Sequence, residues 1–448
     1  MNNLCDIIKI LGVYFGGDTK KGEELNFWKT LESIKKTINL WKWRGLYLID
    51  RIQIVKIFAI PKLMFRASAI SISKDLLKEA ELIFYHFNWK GKDKVKRNAV
   101  ISEVENGGLN MLDTESMIRT KRVICLQKVL KDYESPWKMF LGELLKPIGG
   151  KFLLHCNFEV SKLNISLPAF YRQCLVAWSE LNAREPSSVP EIVNQVIWNN
   201  KFLCVDKKSV YRRDIADQGF CKIWDLFSVD NVQLNHEQSF FIMIVINSMP
   251  AAWRLLIRTA NFAPVLSPLP NTPAIFINVI LIPILDASSK HIYRSFLAKK
   301  QTTPTAKEKL SAKYHHLTID WKRVYLLSFR TTLETKLREF QFKIINRIVL
   351  TNEKLFRFGM AESDKCVFCQ TEVESIEHLL SSCKISSVFW KHVLSWLRDN
   401  NIIVENLKEE DIIFGKLDVG DDFLLVNHIL LLGKFTTLNF TLPGKEAH

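Results

Sequence analysis

The sequence lacks the features that place a chain in a membrane or outside the cell. Its longest apolar run, Ala274 to Leu285, is too short to cross a bilayer and contains Pro283. Asp6 and Lys9 interrupt the apolar residues at the start, so the clean hydrophobic stretch of a secretory signal is missing. We therefore expect an intracellular protein, in the cytoplasm or the nucleus, that binds no membrane.

The sequence also lacks the common catalytic motifs: a Walker phosphate loop, Gly-x-Ser-x-Gly and His-Glu-x-x-His. Gly420-Asp421-Asp422 resembles the Asp-Asp hairpin of polymerases, in which two carboxylates share magnesium ions. Such a site needs a third carboxylate on a neighbouring strand, and no partner strand precedes this one. Acidic residues in the first turn of a helix explain the pair better. We expect no enzymatic activity from this chain.

The composition favours packed domains with a polyanionic partner. A chain of 448 residues exceeds what one hydrophobic core usually serves, which predicts two or three domains. Apolar residues make up 48% of the chain, which argues against disorder. The net charge of +15 predicts binding to RNA, DNA or both.

The pattern of apolar residues predicts a mainly α fold with one isolated strand near the start. Ile10 to Phe15 is rich in β-forming residues, and amphipathic helices follow it, the first with Leu31, Ile34 and Ile38 on one face. Proline-containing stretches at 185–190 and 301–305 indicate linkers. We predict three regions, 1–134, 135–289 and 290–448.

Three of the nine cysteines fall within 18 residues, together with a histidine. Cys366 and Cys369 are separated by two residues, and His378 and Cys383 follow. Zinc prefers tetrahedral coordination by thiolates and imidazole, and two cysteines at this spacing can face one ion when the backbone turns tightly between them. The six other cysteines are scattered singly, which speaks against a disulfide framework.

Three thiolates and one imidazole would leave no coordination position open, so we predict a structural zinc ion within a module at about 336–400. The alternative is three buried cysteines and an incidental histidine.

Basic residues recur near aromatic ones in three segments, a combination typical of nucleic-acid binding. The first two segments lie near residues 41–66 and 87–97, and residues 290–365 carry 17 Lys and Arg against 7 Asp and Glu. The alternative is that the aromatic rings are core residues and the lysines a solvated face. The predicted nucleic-acid contacts are Trp41, Lys42, Arg44, Arg51, Lys56, Lys90, Lys92, Lys94, Lys96 and Arg97.

Several segments together resemble the C-terminal half of a reverse transcriptase from a non-LTR, LINE-type retrotransposon. Ile10–Phe15 resembles the end of the polymerase palm, and Leu40–Arg51 resembles the start of the helical thumb. The other matching segments are Phe87–Lys92, Glu105–Leu109, Phe340–Ile345, Leu350–Asn352 and Glu374–Leu380, with Cys383 and Trp390.

This resemblance implies a helical thumb-like region, a helical middle region and a zinc-binding module. It implies that the chain positions template RNA or target DNA for target-primed reverse transcription. The family's endonuclease and catalytic palm would lie before Met1, and residues 436–448 depart from the family's pattern. We therefore expect a truncated or decayed copy without its own polymerase centre.

Two other interpretations stay open at this point. The chain could be an incomplete part of an active RNA-directed DNA polymerase, or a zinc-stabilised protein-interaction module from a domesticated element. The sequence does not decide between RNA and DNA, and it leaves sequence specificity and oligomeric state open.

Overall fold

The computed structural model describes residues 7–17, 19–131, 135–181, 186, 188–226, 234–259, 274–277, 280–416 and 423–441. The predicted Asp-Asp pair, Asp421 and Asp422, lies outside the described residues. The described part is mainly helical, with three two-stranded antiparallel hairpins, which confirms the predicted fold class.

The first part of the chain packs its helices around one hydrophobic cluster that runs from Phe27 to Ile118. Leu297 and Phe342, from much later in the chain, complete this cluster. Its elements are β1 (Ile7–Ile10), β2 (Val13–Gly16), α1 (Thr19–Glu23), α2 (Lys29–Lys42), α3 (Leu48–Ile54), α4 (Ile60–Ala67), α5 (Lys74–Trp89), α6 (Arg97–Ile101) and α7 (Thr114–Val129), with π-helical turns at Glu24–Trp28 and Val55–Ala59.

The segment predicted as one isolated strand, Ile10–Phe15, spans the last residue of β1, a turn and most of β2. β1 pairs with β2 from Ile7 opposite Gly16 to Ile10 opposite Val13. Leu11 and Gly12 form the two-residue turn, both with positive φ (+48° and +83°). A hairpin loop of this length needs that backbone geometry, and glycine adopts it without strain. The prediction was wrong here because it treated Gly12 as a strand residue.

Helical structure that begins at Leu48 does not stop at Pro61 but continues to Ala67. Proline lacks a backbone N–H and its ring crowds the preceding turn of an α-helix. The wider π-helical turn at Val55–Ala59 precedes it, and Pro61 occupies the first turn of α4. Helical structure is continuous through this turn, because the backbone N–H of Ile60 donates to the carbonyl of Val55, and a π-helical turn gives a proline ring more room than an α-helical one.

The middle of the chain surrounds a second hydrophobic cluster, from Val123 to Phe296. Helix α7 contributes Ile118 to the first cluster and Val123 to this one. The elements are α8 (Pro136–Leu145), α9 (Ala169–Leu181), α10 (Val189–Val193), β3 (Cys204–Val205), β4 (Lys208–Ser209), α11 (Arg213–Ala216), α12 (His236–Ser248), α13 (Ala251–Thr259), β5 (Ala274–Ile277), β6 (Ile280–Pro283) and α14 (Ser289–Ala298), with short 3-10 turns between α8 and α9.

A third cluster runs from Leu310 to Leu438 and includes the side chains of Cys366 and Cys383. The region boundaries predicted after residues 134 and 289 stay predictions. The elements of this part are α15 (Thr305–Lys313), α16 (Trp321–Thr331), α17 (Thr335–Ile345), α18 (Asn352–Arg357), α19 (Lys384–Asp399), α20 (Glu409–Phe414) and α21 (Phe423–Thr441), with a π-helical turn at His378–Ser382.

Contacts between distant segments fix the third part of the chain against the first. The Glu339 carboxylate on α17 accepts a hydrogen bond from the backbone N–H of Leu48, the first residue of α3. Thr335 donates to Asp50 at 3.1 Å. Gly107 has φ +85°, and a Cβ there would lie 2.7 Å from the Tyr325 ring on α16, so a side chain would separate the two parts.

Helix α21 is long and apolar enough to cross a membrane, but 44% of its 18-residue apolar window is buried inside the protein. Its Lys434 is 1% exposed. The Lys434 Nζ donates to Gln341 Oε1 at 2.7 Å, and Gln341 Nε2 donates to the carbonyl of Ile413 at 3.0 Å. These contacts identify α21 as a core helix of the third cluster.

Burial lowers the pKa of Lys434 to about 7, well below its ordinary value of 10.5. The unfolded chain therefore holds this proton over a pH range in which the folded chain has released it. Folding stability should be lowest below pH 7 and should rise between pH 7 and 10.5.

We expect Lys434→Met to lose the rise in folding stability between pH 7 and pH 9.5, because the variant has no buried amine to titrate. Urea unfolding at the two pH values measures this rise in each protein. The matched control is Lys391→Met, at an exposed position on α19, which should keep the rise of the unchanged protein. A Lys434→Met protein whose stability rises as much as that of the unchanged protein would contradict the prediction.

Candidate metal centre and basic cleft

Cys366 and Cys369 lie in a tight turn between two short extended segments. The backbone N–H of Gln370 donates to the carbonyl of Cys366 at 2.9 Å, and Gln370 has a φ of +56°. Cys366 and Glu372 pair across the turn, with N to O at 2.8 Å. This turn presents both thiols on one side, as the two-residue spacing predicts.

His378 and Cys383 come from a π-helical turn. The backbone N–H of Cys383 donates to the carbonyl of His378, five residues earlier, at 2.8 Å. In a regular α-helix, residues five apart point about 140° away from each other. The wider π turn brings them to the same side. The four-residue gap between His378 and Cys383 thus has a structural reason.

The structure brings the four predicted ligands together. One ligand atom from each of Cys366, Cys369, His378 and Cys383 lies within 4.8 Å of all the others. The sulfurs of Cys366 and Cys383 are 3.9 Å apart, and the Cys369 sulfur is 3.4 Å from His378 Nε2. Tetrahedral zinc with ordinary bond lengths separates two sulfurs by about 3.8 Å, and a sulfur and a nitrogen by about 3.6 Å. The four donor atoms and the distances between them therefore fit a zinc ion.

The thiols differ in their surroundings. Cys366 is fully buried, and burial raises its pKa to about 12, although the backbone N–H groups of Cys369 and Phe368 act in the opposite direction. Cys369 lies at the edge of the site, where the Thr371 hydroxyl and nearby backbone N–H groups lower its pKa to about 5. A cation would be needed to hold the buried thiol as the thiolate that binds metal.

Buried carboxylates around the cluster hold its two halves in place. Glu374 is 1% exposed, and its two carboxylate oxygens accept from the backbone N–H of Val367 at 2.9 Å and of Asn352 at 2.8 Å. The first bond reaches the turn between the two cysteines, and the second reaches the start of α18. Glu374 thus fixes the cysteine turn to its neighbouring helix.

Glu377, next to the ligand His378, anchors the same segment to two other parts of the chain. It pairs with Lys313 Nζ on α15 at 2.9 Å and with Arg347, which lies not in a helix but two residues after α17 ends. Burial would raise the pKa of Glu377, but hydrogen bonds from Arg347 and Lys313 lower it to about 2. Trp390 is also structural, because its Nε1 donates to the carbonyl of Leu380 at 2.7 Å and its ring is 4% exposed.

The second candidate site is a basic cleft, with a cavity of about 340 Å³ between the first and third parts of the chain. Lys90 and Lys94 contribute from the turn after α5, and Lys336 and Lys343 contribute from α17. Arg51 on α3 lines it as well. Residues of all three basic segments of the sequence therefore meet in one place, although only Arg51, Lys90 and Lys94 among the predicted contacts line the cavity.

Arg51 is mostly buried, whereas a side chain that contacts the phosphates of a nucleic acid is expected to be exposed. It is 8% exposed; its Nε donates to the carbonyl of Asn88 at 2.7 Å, and its Nη1 donates to that of Leu46 at 2.6 Å. The first bond joins α3 to the end of α5, and the second joins α3 to the segment just before it. Two of the three guanidinium nitrogens of Arg51 therefore serve the fold, and its contact with nucleic acid stays a prediction.

The other predicted contacts lie outside this cavity. Lys42, Arg44, Lys92 and Lys96 are exposed, and Lys56 is half-buried, with a pKa lowered by burial. Arg97 pairs with Asp93 at 2.8 Å and with Glu81 at 3.6 Å, and it lies over the ring of Tyr85, so its charge is engaged within the fold.

Trp41 is half-buried and stacks on Phe58 with 5.6 Å between ring centroids. The Arg44 guanidinium lies 4.4 Å from the Trp41 ring. Trp43, which is not among the predicted contacts, is 89% exposed and available for stacking. The helical period could have shown this, because Trp41 continues the buried face of Leu31, Ile34 and Ile38, and Trp43 does not.

Two comparisons with known proteins agree with the geometry. Residues 288–390, which include all four candidate ligands, match the sequence model of a family described as zinc-binding in reverse transcriptase. A Xenopus laevis protein described as "Transposon TX1 uncharacterized 149 kDa protein" is 21% identical over 239 residues, half of this chain and 18% of that relative. These matches confirm the predicted resemblance to the C-terminal region of a non-LTR retrotransposon reverse transcriptase.

The role of Glu374 can be tested by removing one acceptor. In Glu374→Gln, the new NH2 group faces a backbone N–H, which leaves a buried donor unpaired and should cost about 1–3 kcal/mol. Thermal unfolding measures the loss. Glu372→Gln makes the same change at an exposed position two residues away and should have no effect. Equal stability of the two variants would exclude the bridging role.

Proposed function

We propose that this chain is a nucleic-acid-binding region of a LINE-type reverse transcriptase that positions template RNA or target DNA and has no polymerase site of its own. The meeting of the three basic segments at the cleft carries this proposal, because phosphate contacts dominate the affinity of proteins for nucleic acid. Intracellular location, in the cytoplasm or nucleus, belongs to the same proposal.

The zinc ion would have a structural role in this function. Cys366, Cys369, His378 and Cys383 would hold it, and its four protein ligands would leave no position for substrate. Among the described residues, these four form the one group of His, Cys, Asp or Glu residues that could hold a metal. The binding free energy would stabilise the segment between α18 and α19, and through Glu377 and Arg347 it would support α17, which carries one wall of the cleft.

We expect the purified chain to contain one zinc ion and Cys369→Ser to contain none. Elemental analysis after gel filtration measures the metal, and circular dichroism measures the helical content, which should fall in the variant because the segment loses its centre. Cys221→Ser, outside the cluster, is the control and should keep both. A Cys369→Ser protein with full zinc content would exclude this ligand set.

We expect the chain to bind RNA or DNA oligonucleotides with an affinity that falls as salt rises. A filter-binding series from 50 to 300 mM salt should give a slope of log K against log salt of about −3 or steeper. Lys42→Ala, Arg44→Ala and Lys92→Ala combined should reduce the slope by about 2, since these exposed cations lie in the basic segments.

The charge-matched control combines Lys151→Ala, Lys207→Ala and Lys208→Ala, three exposed positions in the middle part of the chain. It should bind like the unchanged protein. A flat response to salt would contradict nucleic-acid binding and would favour a zinc-stabilised protein-interaction module instead.

A further inference from the structure

Two residues that line the basic cleft carry hydrogen-bond donors that the fold leaves unused. Trp89, at the end of α5, lines the cavity and is 4% exposed. Its indole Nε1–H has no hydrogen-bond partner among the described residues. A buried donor without a partner costs free energy, and it marks a place where a ligand can supply an acceptor.

Arg51 adds further donors at the same cavity. Its Nε and Nη1 are bound to the carbonyls of Asn88 and Leu46. Its Nη2 makes no hydrogen bond within the described part of the chain. Because a guanidinium cannot release its proton in proteins, an acceptor that meets this nitrogen would be an anion or a strong dipole.

The charges of the cleft favour an anion. Five cations line it, and the one acid among the lining residues, Glu339, already accepts from the Leu48 N–H and pairs with Lys343 at 2.6 Å. Desolvation lowers the pKa of Lys94; the nearby charges of Lys343, Arg51 and Lys90 add to this effect, and the Glu339 carboxylate opposes it. The cations thus repel one another, and an anion between them would relieve the repulsion.

The size of the cleft limits the ligand. A volume of about 340 Å³ is within the range of pockets that hold small ligands. A double helix, whose major groove alone is about 12 Å wide, is too large to enter. One nucleotide of a single strand fits this volume, and Phe340, Val349 and Leu438 give the cavity an apolar wall beside the cations.

We propose that the cleft binds a phosphate group of a single-stranded nucleic acid, with Trp89 Nε1 and Arg51 Nη2 as donors and Lys90, Lys94 and Lys343 as counter-charges. This inference rests on the proposed nucleic-acid function and specifies the ligand of the cleft, which is a single strand held at one of its nucleotides. The duplex would be bound elsewhere on the basic surface.

Two variants with different signatures test the site. Lys90→Ala with Lys94→Ala removes two phosphate contacts, so it should weaken binding of a single-stranded 12-mer RNA about tenfold and reduce the salt slope by about 1.4. Trp89→Phe removes one neutral donor and replaces the indole with a smaller aromatic ring. It should weaken the same binding about three- to tenfold without changing the slope, because no charge is lost. Duplex binding should change in neither variant.

The control is Lys207→Ala with Lys208→Ala, which removes two exposed lysines outside the cleft. Melting temperatures of all variants exclude unfolding as the cause. Oligonucleotides with and without a 5′-phosphate distinguish the source of the ligand: equal affinity identifies an internal phosphodiester, and tighter binding of the phosphorylated strand identifies the strand end. Both results support a phosphate site.

Two outcomes would overturn the inference, and they differ from each other. If the unchanged protein binds the single strand and both cleft variants bind it equally well, the cleft site is wrong while the proposed function stands. If the unchanged protein binds no nucleic acid at any salt concentration, the proposed function fails and the cleft proposal fails with it.

Discussion

One buried carboxylate, that of Glu339, determines how the first and third parts of the chain meet. It lies on α17 and accepts from the first backbone N–H of α3, where the unpaired N–H groups of a helix favour a negative charge. The same carboxylate pairs with Lys343. Without it, the start of α3 would have a buried donor and no partner, and the two walls of the basic cleft would lose a contact that holds them together.

The cysteine cluster and the cleft are mechanically connected through this part of the chain. Glu374 fixes the cysteine turn to α18, and Glu377 fixes the histidine segment to Arg347, two residues after α17 ends. Helix α17 then carries Glu339 and Lys343 to the cleft. A metal ion in the cluster would therefore contribute to the position of side chains that take no part in binding it.

The sequence predicted most of what depends on short-range pattern. The helical period identified α2 through the face of Leu31, Ile34 and Ile38, and the ligand spacing identified four side chains that the fold does bring together. The exposure of Trp43 could also have been found, from the face of α2 to which it does not belong.

Features that depend on tertiary contacts could not be predicted. Nothing near Arg51 in the sequence shows that its guanidinium would be used by the carbonyls of Leu46 and Asn88. The meeting of Lys94 with Lys343, nearly 250 residues later, requires the packing of α17 against α3. The hairpin turn at Leu11-Gly12 was missed for a different reason: one glycine was the only local signal, and the surrounding β-forming residues outweighed it.

The π-helical turn at His378–Ser382 constrains the gene as well as the protein. The backbone hydrogen bond joins two residues that are five positions apart, so the turn requires a fixed number of residues between them. A single-codon insertion or deletion between His378 and Cys383 would therefore rotate one donor away from the other. Substitutions of Ser381 and Ser382 should be tolerated more readily than a change in length, because neither side chain contributes a ligand atom. Related sequences that diverge freely in composition should still keep this segment at one length.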